Sequence, residues 1–240
     1  MLNNNKKILV SDYDRTFYLN DNDIEKNIKE IENFRNAGNL FIVATGRSFY
    51  DFKKKVNLYN IKYDYVILNH GATILDNNDN ILFNFSINTT IVKNLEKDLN
   101  IEKSIKFFCC SKLDSRVDIN CTDLTKVYLR FEDTNIASET NNKINSTYSK
   151  DINSYLISPY SIEIITNKIN KSSAIQLLID DLHLDKSNVY TIGDGYSDIK
   201  MIKDYNGCCM LESVKELKHF SIKEYNSVSN FISDILNNNL

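Results

Sequence analysis

Four short apolar runs in this chain each break off into side chains that can do chemistry. Ile8-Leu9-Val10 leads into Ser11-Asp12-Tyr13-Asp14, and Phe41-Ile42-Val43 into Ala44-Thr45-Gly46-Arg47. Val66-Ile67-Leu68 leads into Asn69-His70-Gly71, and Tyr190-Thr191-Ile192 into Gly193-Asp194-Gly195, with Asp198 close behind. Carboxylates gathered in one crevice are hard oxygen donors of the kind that hold Mg²⁺. Without a cation they repel one another: two unit charges ~4 Å apart at an effective dielectric near 20 cost about 4 kcal/mol. A divalent ion and a lysine offset several such terms and make a phosphoryl group an attractive occupant. One carboxylate can then attack phosphorus to give an aspartyl-phosphate. A second can protonate the leaving oxygen and later activate water, while the cation and lysine spread the charge on the transferring group.

Those clusters can meet only if the apolar runs are parallel strands, because the carboxyl edge of such a sheet is where open α/β folds place their sites. The intervening segments fit. Asp23 to Ala37 carries Ile24, Ile28, Ile31 and Phe34 at helical spacing, with Gly38 closing the helix. Ser48 to Leu58 reads as a short helix capped by Ser48. Ala72 to Phe83 reads as a hairpin turning through Asp76-Asn77-Asn78-Asp79-Asn80. Toward the other end, a helix over Lys171 to Leu182, a strand over Val189 to Ile192, a helix over Ser197 to Lys203 and an apolar run over Gly207 to Met210 restore the alternation. Strands alternating with helices imply right-handed crossovers and a parallel sheet.

The middle is organised differently. No glycine falls between residues 72 and 192. Helices are expected over Thr89–Leu99 and Ile136–Tyr148, and strands over Ile105–Cys110, Thr125–Phe131, Ser154–Ile157 and Ser161–Thr166. Strands without a helix between each pair point to an α+β unit with an antiparallel sheet. Val127, Leu129 and Phe131 alternate with Tyr128 and Arg130, one dry face and one wet. The expected fold class is therefore α/β. A Rossmann-like parallel-sheet core is built from residues 1–83 and 168–240, with an α+β unit over 84–167 inserted between its halves.

The motifs also carry a resemblance. Asp12-Tyr13-Asp14-Arg15-Thr16 resembles the D-x-D-x-T motif of haloacid dehalogenase (HAD) superfamily phosphatases. Thr45-Gly46-Arg47 and Asn69-His70-Gly71-Ala72 are similar to segments of the Cof-like, type IIB branch, the second with His70 inserted. Lys171 matches the third-motif lysine, and Gly193-Asp194-Gly195-Tyr196-Ser197-Asp198-Ile199-Lys200-Met201 resembles the fourth motif, G-D-x-x-N-D-x-x-M. The resemblance implies that the inserted unit is a C2B-type cap closing over the site. It implies Asp12 as nucleophile, Asp14 as general acid/base, and Thr45, Gly46 and Lys171 as phosphate-binding residues. Arg47 and Asn69 become substrate candidates. Mg²⁺ is the implied cofactor, held by Asp12, the main-chain carbonyl of Asp14, Asp194 and Asp198.

Three positions depart from the pattern. Arg15 replaces a glycine common after the second aspartate, Ser197 replaces an asparagine in the fourth motif, and Glu212 stands where an asparagine is common. His70 reads as structural rather than as a ligand, since no second histidine lies at metal spacing. Cys208 and Cys209 read as strand core. Cys109 and Cys110 fall on an expected strand of the inserted unit, where one can face the site. Lys112, Arg116 and Arg130 are candidate cap contacts that otherwise read as solvated face residues.

Composition narrows the function classes. The chain has 240 residues, 42% of them hydrophobic and 25% charged, with a net charge of −3. That suits a globular protein with a sizeable core and disfavours one built to hold nucleic acid. No apolar run approaches the ~18–20 residues of a membrane span, and the short apolar stretch near the N-terminus is not expected to act as a secretory leader. The five cysteines form no C-x-x-C pair, so reduced thiols and a cytoplasmic location are expected. The expected partner is a small phosphorylated metabolite, a sugar phosphate or similar, with neither nucleic acid nor membrane. A Mg²⁺-dependent phosphatase is the leading expectation. A phosphomutase or other phosphotransferase, or a non-catalytic sensor of phosphorylated metabolites, would use the same fold.

Overall fold

The computed structural model describes residues 6–240. The chain opens with β1 (Ile8–Ser11), α1 (Asp21–Asn36), β2 (Leu40–Ala44), α2 (Phe49–Tyr59), β3 (Tyr65–Leu68), β4 (Thr73–Asp76) and β5 (Ile81–Asn84). It continues through α3 (Thr89–Leu95), β6 (Ser104–Ser111), β7 (Ser115–Val117), β8 (Leu124–Phe131), α4 (Thr134–Tyr148), β9 (Ile152–Ser158) and β10 (Ser161–Thr166). It closes with α5 (Lys171–Asp181), β11 (Val189–Gly193), α6 (Ile199–Asp204), β12 (Asn206–Met210), α7 (Lys215–Lys218), β13 (Glu224–Tyr225) and α8 (Val228–Leu236).

These elements form two sheets. The first has eight strands in the order β13-β12-β11-β1-β2-β3-β4-β5. Its strands run parallel from β13 to β3, and β4 and β5 add an antiparallel edge. The second, with the order β7-β6-β8-β10-β9, is antiparallel throughout. The α/β class expected from the alternation is thus observed.

Burial explains why the parallel strands read as unbroken apolar runs. All four residues of β1 are buried. One of its faces packs Leu9 with Phe34, Phe41, Phe231 and Ile232, and the other packs Ile8 and Val10 with Ile175, Leu178 and Ile179. A strand covered on both faces has no wet side to alternate with. In β8 the alternation is real: Val127, Leu129 and Phe131 join a core with Leu95, Ile144 and Ile162, while Tyr128 is half-buried and Arg130 exposed.

Helix ends follow local chemistry. Asn20 caps α1 by accepting the amides of Asn22 and Asp23. Asn170 and Ser173 form a reciprocal capping box at α5, which makes Lys171 the first residue of that helix. Cys208 and Cys209 are fully buried in β12, as expected. Among the described residues no helix is long and apolar enough to cross a membrane.

Candidate active site

The register of three neighbouring strands brings the first, second and fourth motifs together. Ser11 pairs with Ile192 of β11 on one side and Val43 of β2 on the other. The chain therefore leaves the sheet at Asp12, Gly193-Asp194 and Ala44-Thr45 at one level, on the carboxyl edge. The turn after β1 is tight: Phe17 N–H donates to the Asp12 carbonyl at 3.2 Å and Arg15 N–H to the Tyr18 carbonyl at 3.0 Å. Arg15 sits at φ +61, a conformation that glycine adopts most easily. The buried rings of Tyr13 and Phe17 anchor the turn against Phe52 and Phe41 at centroid distances of 6.1 and 5.3 Å.

Lys171 ties the edge together. It is 2% exposed, and its Nζ lies 2.5 Å from Asp12 Oδ1 and 2.6 Å from Asp198 Oδ1. The other Asp198 oxygen accepts the amides of Asp194 and Gly195 at 3.1 and 3.0 Å. A side chain at Gly193 would meet the Asp198 carboxyl group at 2.6 Å, so the glycine is what admits that carboxylate. Asp194 accepts the Thr16 hydroxyl at 3.1 Å. Asp12, Asp194 and Asp198 each place an oxygen within 4.8 Å of the others, all three buried.

Three carboxylates share this space with one lysine. Burial, with Asp198 and Asp194 nearby, holds the Asp12 carboxyl well above its usual range against the pull of Lys171. Burial and Asp198 push Asp194 up to about 6. Lys171 is buried too, yet Asp12 and Asp198 outweigh that and keep it charged. The set is short of positive charge, and its donors are all hard oxygens. Both properties suit a divalent cation such as Mg²⁺.

The remaining expected residues divide. Gly46 and Arg47 line the same cavity as Asp12, Asp14, Lys171, Asp194 and Asp198, a cleft of about 1190 Å³ between the two sheets. A side chain at Gly46 would meet the His70 ring at 2.5 Å. Thr45 is fully buried beneath this surface, its hydroxyl oxygen accepting the Arg47 amide at 3.1 Å. Asp14 stands outside the carboxylate cluster. Its two oxygens take a fork from Arg47, at 2.8 Å from Nε and 2.7 Å from Nη2. Arg47 thereby holds a carboxylate at the cavity mouth, and it also lies over the Tyr13 ring at 5.2 Å.

Asn69 lies deeper. It is fully buried, is absent from the cavity lining, and donates through Nδ2 to Thr125 Oγ1 of β8 at 3.1 Å. Through that bond it joins the two sheets. Glu212 is exposed and also absent from the lining, so its charge does not bear on the carboxylates. Ser197 does line the cavity.

The cavity's other wall comes from the five-stranded sheet. Phe108, Tyr128, Glu163 and Tyr155 form one register row across β6, β8, β10 and β9. Lys126 lies two residues before Tyr128 on the same face. Its Nζ bonds Glu163 Oε1 at 2.7 Å and the Gly46 carbonyl at 2.6 Å. The other Glu163 oxygen accepts His70 Nε2–H at 2.6 Å, which leaves His70 Nδ1 as a buried acceptor without a protein partner. His70 also packs on Tyr155 at 5.0 Å. Sequence reasoning missed Lys126 and Glu163 as site residues, and their strand alternation alone could have placed them on the wet face. Of the cysteine pair in β6, Cys109 belongs to the dry core. Cys110, level with Lys126, is on the face toward the cavity but is buried. Arg116 lines the cavity, whereas Lys112 and Arg130 do not.

The family model of the haloacid dehalogenase-like hydrolases matches residues 9–120 and 111–230. The chain belongs to this family. The resemblance carried by the four motifs is thereby borne out, and with it the expectation of a HAD-type hydrolase. The 5-amino-6-(5-phospho-D-ribitylamino)uracil phosphatase YcsE of Bacillus subtilis is 24% identical over 205 residues, covering 82% of this chain and 80% of that protein. A protein of Mycoplasma capricolum is 29% identical over 246 residues, covering 82% and 87%. A haloacid dehalogenase-like hydrolase from Bacteroides thetaiotaomicron shares the fold with a TM-score of 0.79 at 17% identity, over 96% of this chain and 99% of that one. Another Bacteroides thetaiotaomicron structure, BT1666, described among the phosphatases of the HAD superfamily, superposes with a TM-score of 0.76 at 17% identity, over 98% and 96%.

Proposed function

We propose that this HAD-family hydrolase is a Mg²⁺-dependent phosphatase of small phosphorylated metabolites. One observation supports that reading above the others: Asp12 lies at the strand edge, bound by a buried lysine and within reach of two further buried carboxylates. That is the equipment of a nucleophile beside a cation site. Relatives named as phosphatases, including one acting on a phosphorylated ribitylaminouracil, point the same way.

Asp12 attacks phosphorus and forms an acyl phosphate as the leaving oxygen departs. Asp14, once an oxygen freed from the Arg47 fork carries a proton, gives that proton to the leaving oxygen and then takes one from the water that hydrolyses the acyl phosphate. Lys171 neutralises Asp12 and the incoming phosphoryl oxygens. Asp12, Asp194, Asp198 and the main-chain carbonyl of Asp14 would hold Mg²⁺, which when bound supplies Lewis-acid stabilisation of phosphoryl charge. Thr45 and Gly46 carry the phosphate-binding role on the β2 side. Residues 84–167 act as the cap, excluding bulk water and orienting the leaving group, over a core formed by 1–83 and 168–240. Five unpaired cysteines suit work in the cytoplasm.

The test is hydrolysis of a panel of phosphorylated metabolites, with p-nitrophenyl phosphate as the general reporter, by wild type and Asp12→Asn, with and without Mg²⁺. Turnover is expected only in wild type with the metal. Turnover retained in Asp12→Asn would overturn the nucleophile. Phosphate transferred to a sugar instead of to water would favour the mutase reading.

A further inference from the structure

Besides Arg15, on the turn after β1, the cations lining the cavity fall into two groups. Lys171 is paired with Asp12 and Asp198, Arg47 with Asp14, and Lys126 with Glu163. Lys106 and Arg116 line the same cavity from the five-stranded sheet, and among the described residues neither has a carboxylate partner. Both are instead mounted on one pair of stacked rings. Phe108 and Tyr128 lie 4.5 Å apart at 20°. Arg116 stands over Phe108 at 3.6 Å, and Lys106 lies 5.7 Å from each ring. Arg116 holds this position from a backbone at φ +102, a strained conformation for a residue with a side chain. The only acidic residue that this sheet adds to the lining is Glu163, already engaged by Lys126 and His70. The sheet's wall is therefore net positive, and its two unpaired charges are held by rings whose faces attract cations.

We propose that Lys106 and Arg116 bind a second anionic group on the leaving-group side of the substrate. The preferred substrates are then phosphomonoesters whose alcohol portion carries a further phosphate or a carboxylate. This rests on the phosphatase reading above, which fixes where the scissile phosphoryl group lies. A guanidinium stacked on a ring keeps its N–H fork free for an oxyanion, and the lysine adds a second charge.

The experiment compares kcat/KM on three substrates: p-nitrophenyl phosphate, with no second anion; fructose 1,6-bisphosphate, with a second phosphate; and 3-phosphoglycerate, with a carboxylate. At least one of the two substrates with a second anionic group is expected to exceed the reporter by roughly tenfold or more, the size of one charge-assisted contact. That ratio is expected to fall by about tenfold in Arg116→Ala and in Lys106→Ala, chiefly through KM, and to recover in part in Arg116→Lys. The arm that collapses distinguishes phosphate from carboxylate. Calorimetric binding of the same two compounds to Asp12→Asn protein, with and without Arg116→Ala, reads the subsite without turnover and is expected to show the same loss. Hydrolysis of the reporter with no preference for either of the other two substrates, or variants that leave the ratio and the binding unchanged, overturns the subsite and leaves the phosphatase reading standing. Absence of all turnover, with binding still dependent on Arg116, would count against the phosphatase reading alone.

Discussion

Two buried lysines sit a short way apart in this molecule, and their surroundings set them different tasks. Lys171 faces Asp12 and Asp198, with Asp194 beside them. The sum is an excess of negative charge, and burial together with that excess holds the Asp12 and Asp194 carboxyl groups above their usual range. Lys126 faces one carboxylate, Glu163, which burial would raise but which Lys126 and His70 bring down to about 2. That second group is balanced, and it joins the two sheets through the Gly46 carbonyl and His70. A buried cluster left short of positive charge is prepared for a cation and a phosphoryl group. A compensated one is prepared to hold parts together.

The contrast breaks most visibly at Asp12. Replacing it with asparagine is expected to lower kcat by about 10⁴-fold or more, as loss of a nucleophile does, while urea unfolding shows a protein at least as stable as wild type, because a repulsive charge has gone. Next comes Asp14→Asn, expected to cost on the order of 10²–10⁴ in kcat with little change in the unfolding midpoint, since its partner Arg47 stays partly solvated. At the balanced cluster the order reverses. Lys126→Met leaves Glu163 buried without its lysine and is expected to cost about 3–5 kcal/mol in urea unfolding. Adding Glu163→Gln is expected to recover much of that loss.

Acid should separate the clusters more gently. Burial lowers His70 from its ordinary 6.5, and Glu163 is lowered to about 2. In both cases the unfolded chain binds protons that the folded chain refuses, so stability rises with pH across the window. The Glu163 contribution is complete above its unfolded value near 4.5 and is lost as pH falls toward 2. The His70 penalty begins as pH falls below 6.5. With chelator present, wild type is expected to lose more stability than His70→Gln between pH 7.5 and 5, as read by urea unfolding. Asn69→Ala is the smallest change. Loss of its hydrogen bond to Thr125 is expected to cost about 1 kcal/mol of stability and to leave KM unaltered.

The difference between the clusters also explains what the sequence disclosed. Asp12 and Asp194 announce themselves because each closely follows an apolar run, with Asp198 not far behind, and parallel register does the rest. Lys126 and Glu163 lie inside β8 and β10, where a charged residue on the alternate position reads as solvated. Only the docking of the two sheets makes that position dry. His70, which completes the cluster, is 93 residues from Glu163 along the chain, beyond any local pattern. The contact of Asn69 is hidden for a related reason: polar residues after β3 look like part of the edge, yet a 3-10 turn at Asn69–Gly71 brings the Asn69 amide to Thr125. β7 and β13, three and two residues long, are too short for period-two alternation to register.

Calorimetric titration of Mg²⁺ into wild type, Asp194→Asn and Glu163→Gln reaches the centre of this account. One ion per chain is expected to bind wild type and Glu163→Gln alike, and to bind Asp194→Asn at least about tenfold more weakly. Equal affinity in Asp194→Asn and wild type would contradict it.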